Sequence, residues 1–101
     1  MQIWQYVAIY VLVSMKDLTN TTDIRQWTVD WLENRFAVTR DCIESSEKLT
    51  DFSCFDDTDR FFLEYDVETD FFVSVPEGCF DECLTLDSIV NKIKELTDKD
   101  A

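Results

Sequence analysis

The scarcity of glycine and proline is the feature that most restricts the fold of this chain. Among its 101 residues there is one glycine, Gly78, and one proline, Pro76. β-Sandwiches and barrels need many tight turns, and such turns draw heavily on these two residue types. Apolar residues make up 46% of the chain, which is enough for one small core. The sequence therefore predicts a single all-α domain, in which a few helices are joined by loops.

Acidic residues are concentrated in the middle of the chain. The formal net charge is −13, and residues 41–90 hold fifteen acidic residues against only Lys48 and Arg60. Such a region repels nucleic-acid phosphates, so we expect no nucleic-acid binding. It is complementary to the basic surface of a protein, which is the kind of partner that the charge predicts.

The four cysteines form no recognisable metal-binding or redox motif. They are Cys42, Cys54, Cys79 and Cys83; no Cys-x-x-Cys pair is present, and the chain contains no histidine. We therefore expect no metal site and four reduced thiols. Because no clear secretion signal is present, the composition predicts a cytoplasmic protein. No pairing of residues indicates acid–base or nucleophilic catalysis, so we do not expect an enzyme.

An apolar segment over residues 3–15 precedes the acidic region. It is shorter than the roughly 20 residues that a transmembrane helix needs. Three interpretations remain open: an added helix or strand that covers the domain, a weak contact with a membrane or a partner, and an upstream extension with Met15 as the true start. We accordingly divide the chain into an extension of uncertain status, residues 1–20, and a domain over residues 21–101.

Apolar periodicity predicts two long helices in the first three quarters of the chain. The first is expected over residues 22–36, capped by Thr21 or Thr22, and the second over residues 57–71, after an acidic start that suits the helix dipole. The side chains predicted to be largely buried in the whole domain are Trp31, Leu32, Leu63, Val67, Phe71, Val75, Ile89 and Ile93.

The remaining segments complete the predicted helical arrangement. A third long helix is expected over residues 85–96 with Thr85 as its cap, and it has the clearest amphipathic pattern in the chain. A short helix is predicted over residues 79–83. The segment from Val38 to Ser53 is predicted to be a long loop.

Four short segments occur in an order and spacing typical of one known family. They are Phe-Ala-Val-Thr-Arg-Asp-Cys-Ile-Glu at 36–44, Leu-Thr-Asp-Phe at 49–52, Glu-Thr-Asp-Phe-Phe-Val-Ser-Val-Pro-Glu at 68–77 and Leu-Thr-Leu-Asp-Ser-Ile-Val-Asn-Lys-Ile at 84–93. Over about residues 21–96 the chain thus resembles the acyl carrier protein family. The resemblance implies a bundle of three long helices and one short helix.

The resemblance breaks at the position that carries the chemistry of the family. Acyl carrier proteins bear 4'-phosphopantetheine on a serine, and counting back from Pro76 places Asp57 at that position. An aspartate cannot form the stable phosphodiester of a primed carrier, so we expect no prosthetic group. The alternative is 4'-phosphopantetheine on an atypical hydroxyl, either Thr58 or Ser53.

The expected function is that of a monomeric, non-catalytic interaction module that resembles a carrier protein and binds a basic protein partner such as a biosynthetic enzyme. Asp57 either mimics the charge of the phosphodiester or simply caps the second helix. The alternatives are a genuine acyl carrier in fatty-acid or polyketide-like synthesis and an unrelated acidic protein such as an inhibitor. The residues predicted to contact the partner are Asp56, Asp57, Asp59, Glu64 and Glu68.

Overall fold

Helix α1 spans Thr21–Phe36 in a computed structural model that describes residues 20–99. The predicted cap was wrong: the side chain of Asn20 accepts a hydrogen bond from the Asp23 N–H at 2.8 Å, so Asn20 caps the helix. The prediction for residues 3–15 and Met15 falls outside the described residues. At its other end α1 stops at Ala37, which adopts a left-handed conformation with φ 54°.

The segment predicted as a long loop contains a short helix, so that prediction was wrong. Helix α2 spans Arg40–Ser45 and is capped by the Thr39 hydroxyl, which accepts from the Cys42 N–H. Its Ile43 is buried, and the Arg40 side chain donates to Asp30 of α1. A single 3₁₀ turn, Leu49–Asp51, follows.

Helix α3 spans Asp57–Phe71, as predicted, and helix α4 spans Leu86–Lys99. The Thr85 hydroxyl accepts from the Ser88 N–H at 3.1 Å, which confirms the predicted cap of α4. The short helix predicted over residues 79–83 is absent. Between Pro76 and Cys83 the backbone instead makes three successive turns, and Gly78 sits there at φ 79°, outside helical geometry.

The prediction of an all-α domain is confirmed for the described part of the chain, which contains no strand. Residues 20–99 contain four α-helices, and the short one lies between the first two long helices instead of before the last. None of the helices within residues 20–99 combines the length and the apolarity that crossing a membrane requires.

The core lies between α1, α3 and α4, and α4 packs most extensively on α1. Six of the eight side chains predicted to be buried are so: Leu32, Leu63, Val67, Phe71, Ile89 and Ile93. Trp31 and Val75 are only half-buried, contrary to prediction. The indole of Trp31 lies at the edge of the core, where its N–H donates to Asp66.

Three polar contacts hold α3 antiparallel to α1. Along α1, side chains spaced by four residues donate in turn to α3: Trp27 Nε1 to Asp70 at 2.8 Å, Trp31 Nε1 to Asp66 at 2.7 Å, and Arg35 Nε to Asp59 at 2.7 Å. Positions four apart lie on one face of a helix, which is why the three donors can meet one neighbouring helix. We call these contacts the α1–α3 ladder.

The ladder predicts that Asp59 matters for stability far more than its exposed neighbour Asp57. Asp59→Ala leaves Arg35 without its carboxylate in a half-buried position and removes a helix-start contact, which we expect to cost about 2 kcal/mol in the free energy of unfolding. Asp57→Ala is the matched control and should change it little. Urea denaturation followed by tryptophan fluorescence measures both; equal losses would contradict the assigned role of Asp59.

Candidate functional site

The first turn of α3 is closed by a reciprocal pair of aspartates. Asp56 is the N-cap and accepts from the Asp59 N–H at 3.1 Å, while Asp59 accepts from the Asp56 N–H at 3.0 Å. The Asp59 N–H holds the pKa of the Asp56 carboxyl below its ordinary value. Asp56 is exposed, but Asp59 is only 9% exposed and also binds Arg35. Of these two predicted contact residues, Asp59 is therefore held inside the molecule.

Asp57 is the first residue of α3, and its side chain is fully exposed. Its carboxylate accepts from Arg60 Nη1 at 3.0 Å. The alternative of Asp57 as the helix cap was wrong, because Asp56 caps α3. Asp57 thus presents its charge to solvent at the very start of the helix.

The hydroxyls beside Asp57 differ in accessibility. Ser53 is half-buried and donates to the Leu49 carbonyl at 3.0 Å, whereas Thr58 is exposed. With a carboxylate at position 57, the residues present do not fit a phosphopantetheine arm attached in the manner of the family.

Glu64 and Glu68 bind the loop that follows α3. Glu64 accepts from the Gly78 N–H at 2.7 Å, and Glu68 accepts from the Val75 N–H at 3.4 Å. These contacts lay the loop back along the helix. Glu64 is half-buried in consequence, and Glu68 remains exposed.

Three of the five predicted contact residues share one side of α3. Glu64 and Glu68 follow Asp57 by intervals that return to within about 40° around a helix, whereas Asp59 lies nearly opposite. We call the side that carries Asp57, Glu64 and Glu68 the outer face of α3.

A cleft of about 260 Å³ lies between the outer face and the loop. Its charged lining comprises four carboxylates, from Asp57, Glu64, Glu77 and Asp81, against one guanidinium, from Arg60. The Arg60 guanidinium lies 5.5 Å from the centre of the Phe55 ring, and its Nε is buried without a hydrogen-bond partner. Sequence reasoning missed Glu77 and Asp81, because the return of the loop along α3 depends on backbone contacts that leave no pattern in the sequence.

Aromatic side chains are exposed among these carboxylates. Phe61 is 63% exposed, Tyr65 61% and Phe72 77%. Phe61 also lines the cleft. Phe72 ends α3 in a left-handed conformation with φ 56°, which is strained for a bulky side chain.

The cysteines do not form a reactive site. All four are free: Cys54 is exposed, Cys42 and Cys79 are half-buried, and Cys83 is buried. Burial raises the pKa of the Cys79 thiol and of the Cys83 thiol, so both stay protonated near neutral pH. Within residues 20–99, no group of three His, Cys, Asp or Glu side chains is arranged to hold a metal ion.

Comparisons of the chain with protein-family models, curated proteins and solved structures find no match.

These environments predict the order in which the thiols react with a disulfide reagent such as DTNB. Under native conditions at mildly alkaline pH, Cys54 should react first because it is exposed, and Cys83 last because it is buried and burial raises the pKa of its thiol. Cys54→Ser should remove the fast phase, while urea should make the remaining thiols react together. A fast phase that persists in Cys54→Ser would show that the assigned exposures are wrong.

Proposed function

We propose that this chain is a non-catalytic interaction module that resembles an acyl carrier protein, lacks phosphopantetheine, and binds the basic surface of a protein partner through the outer face of α3. The observation that carries the proposal is the position of Asp57. Its carboxylate stands fully exposed at the first residue of α3, where the resemblance expects the modified serine.

The absence of the prosthetic group follows from the chemistry of attachment. Priming joins a hydroxyl oxygen to the phosphate of coenzyme A, and a carboxylate yields no comparably stable product. Ser53 keeps its hydroxyl on the Leu49 carbonyl. Helix α3 therefore recognises a partner without carrying phosphopantetheine.

The choice of a basic partner rests on the charge of the outer face. Asp57 and Glu68 are exposed there, and Glu77 and Asp81 extend the negative surface across the cleft. Exposed charges of one sign steer a partner of the opposite sign and raise its association rate.

A second candidate function is that of a genuine acyl carrier modified at an atypical hydroxyl. The exposed Thr58, next to Asp57 in the first turn of α3, is the observation that favours it. Its hydroxyl is secondary and is displaced by about 100° around the helix from position 57. The first candidate is preferred for both reasons.

Priming distinguishes these two functions directly. Incubated with coenzyme A, magnesium and a broad-range phosphopantetheinyl transferase, the native chain should keep its mass, because no suitable hydroxyl stands at position 57. Asp57→Ser restores that hydroxyl and is expected to gain one phosphopantetheine. Intact-mass spectrometry reads both results; a mass increase on the native chain that Thr58→Val abolishes would establish the second function instead.

Charge reversal tests partner binding through α3. A photo-reactive amino acid at the exposed Thr58 captures the partner in cells, and the purified partner is then used for kinetics. Asp57→Lys with Glu68→Lys should lower the association rate about tenfold at low salt and less at high salt, because exposed charges act within a Debye length of about 10 Å at 0.1 M.

The matched control is Asp41→Lys with Glu44→Lys. Both residues are exposed on α2, and the net charge changes by the same amount. We expect this pair to alter the association rate less than twofold, as a rough estimate for charges away from the interface. If the two pairs have equal effects, the partner responds only to net charge, and α3 is not its docking site.

A further inference from the structure

Two aromatic residues of α3, Phe61 and Tyr65, expose most of their side chains to solvent. The outer sides of Phe61 and Tyr65 face solvent, and their nearest ring contact is the T-shaped pair that Phe61 makes with Phe62 at 5.8 Å. Four of the five large apolar side chains that are exposed in the described part of the chain belong to α3 or to the residue that ends it. Clustering of this kind marks interaction surfaces, because single exposed apolar residues are normally scattered.

The exposed aromatic residues follow one another along α3 as a close pair and a third residue at the helix end. Phe61 and Tyr65 are one turn apart and lie within about 40° of each other around α3. Phe72 follows beyond the end of the helix, so the ridge extends about 16 Å at 1.5 Å per residue. It borders the outer face, with Asp57 before Phe61 and Glu68 between Tyr65 and Phe72 along the chain. We call Phe61, Tyr65 and Phe72 the aromatic ridge.

The cleft beside Phe61 adds a charge preference at one end of the ridge. Its charged lining holds four carboxylates against the single guanidinium of Arg60. A lysine or arginine side chain entering it would meet carboxylates and could also approach the face of the Phe61 ring, an arrangement that attracts cations. A second copy of this chain presents the same carboxylates beside its aromatic ridge, so repulsion between like charges opposes self-association through this surface.

We propose that the aromatic ridge and the adjoining cleft are the docking site for a basic amphipathic helix of the partner. The apolar side of that helix packs on Phe61, Tyr65 and Phe72, and one of its lysine or arginine side chains occupies the cleft. A helix is the fitting occupant because Phe61 and Tyr65 lie one turn apart on a helix, and helix pairs bury such rows of side chains against each other. This inference rests on the proposed function: it names the chemistry of the partner and the anchors that bind it.

The test uses a synthetic amphipathic helix of leucine and lysine, with its leucines on one face, and a scrambled peptide of the same composition. Calorimetry should show the helix binding about tenfold or more tightly than the scrambled peptide, since only the former presents an apolar face. Phe61→Ser with Tyr65→Ser should lower that affinity about tenfold, as expected when aromatic anchors are lost.

Leu84→Ser is the matched control, because Leu84 is 56% exposed but lies off α3. It should leave the affinity within about twofold, a change expected of a residue outside the anchor set. Amide cross-peaks in ¹⁵N–¹H spectra should shift on the outer face of α3. Circular dichroism verifies that the serine variants fold, and Phe61→Leu with Tyr65→Leu, which keep an apolar ridge, should retain most of the affinity.

Four results would overturn the inference: no binding of the helix, equal binding of both peptides, unchanged affinity in the serine variants, or a dimer of the native chain that those variants abolish. The charge-reversal experiment tests the proposed function separately from the aromatic anchors. A captured partner that requires Asp57 and Glu68 but tolerates the serine variants would refute the aromatic anchors while leaving the proposed function intact.

Discussion

The carboxylate of Asp59 is the interaction on which the placement of α3 depends. One of its oxygens accepts from Arg35 at the end of α1, and the other accepts from the Asp56 N–H at the start of α3. The same guanidinium lies 4.7 Å from the Phe62 ring centre and 5.6 Å from that of Trp31. Because Asp59 is only 9% exposed, its carboxylate would be left buried without its charged partner if Arg35 were removed, which is costly. The start of one helix is thereby fixed to the end of another, and this sets which side of α3 faces outward.

Periodicity was sufficient to predict α1, α3 and α4, because each buries a regular apolar row. It failed for α2, where Ile43 is the only buried residue and one residue defines no period. It also misled over residues 79–83, since the one-turn spacing of Cys79 and Cys83 looks helical, although the backbone there makes separate turns. Local capping was more informative than periodicity at such places: Thr39, a residue type suited to a helix start, marks α2.

The candidate site was only partly predictable, because a sequence does not show which carboxylates already have partners. Asp66 and Asp70 accept from tryptophan indoles of α1, and Asp59 accepts from Arg35. The carboxylates on that side of α3 are therefore occupied by hydrogen bonds to α1. The outer face keeps Asp57 and Glu68 exposed. The acidic helix α3 thus contains two sets of carboxylates, one bonded to α1 and one exposed to solvent, and only the fold distinguishes them.

The carboxylate of Asp57 contributes little to the fold. Asp56 already supplies the cap, and Asp59 supplies the link to α1, so the third carboxylate of the turn is not needed to start the helix. Its carboxylate pairs with Arg60, a neighbour on the same turn, and exposed pairs of that kind stabilise a protein little. In the proposed function this exposed charge acts on the approaching partner. Asp57 lines the acidic cleft and precedes the aromatic ridge along α3.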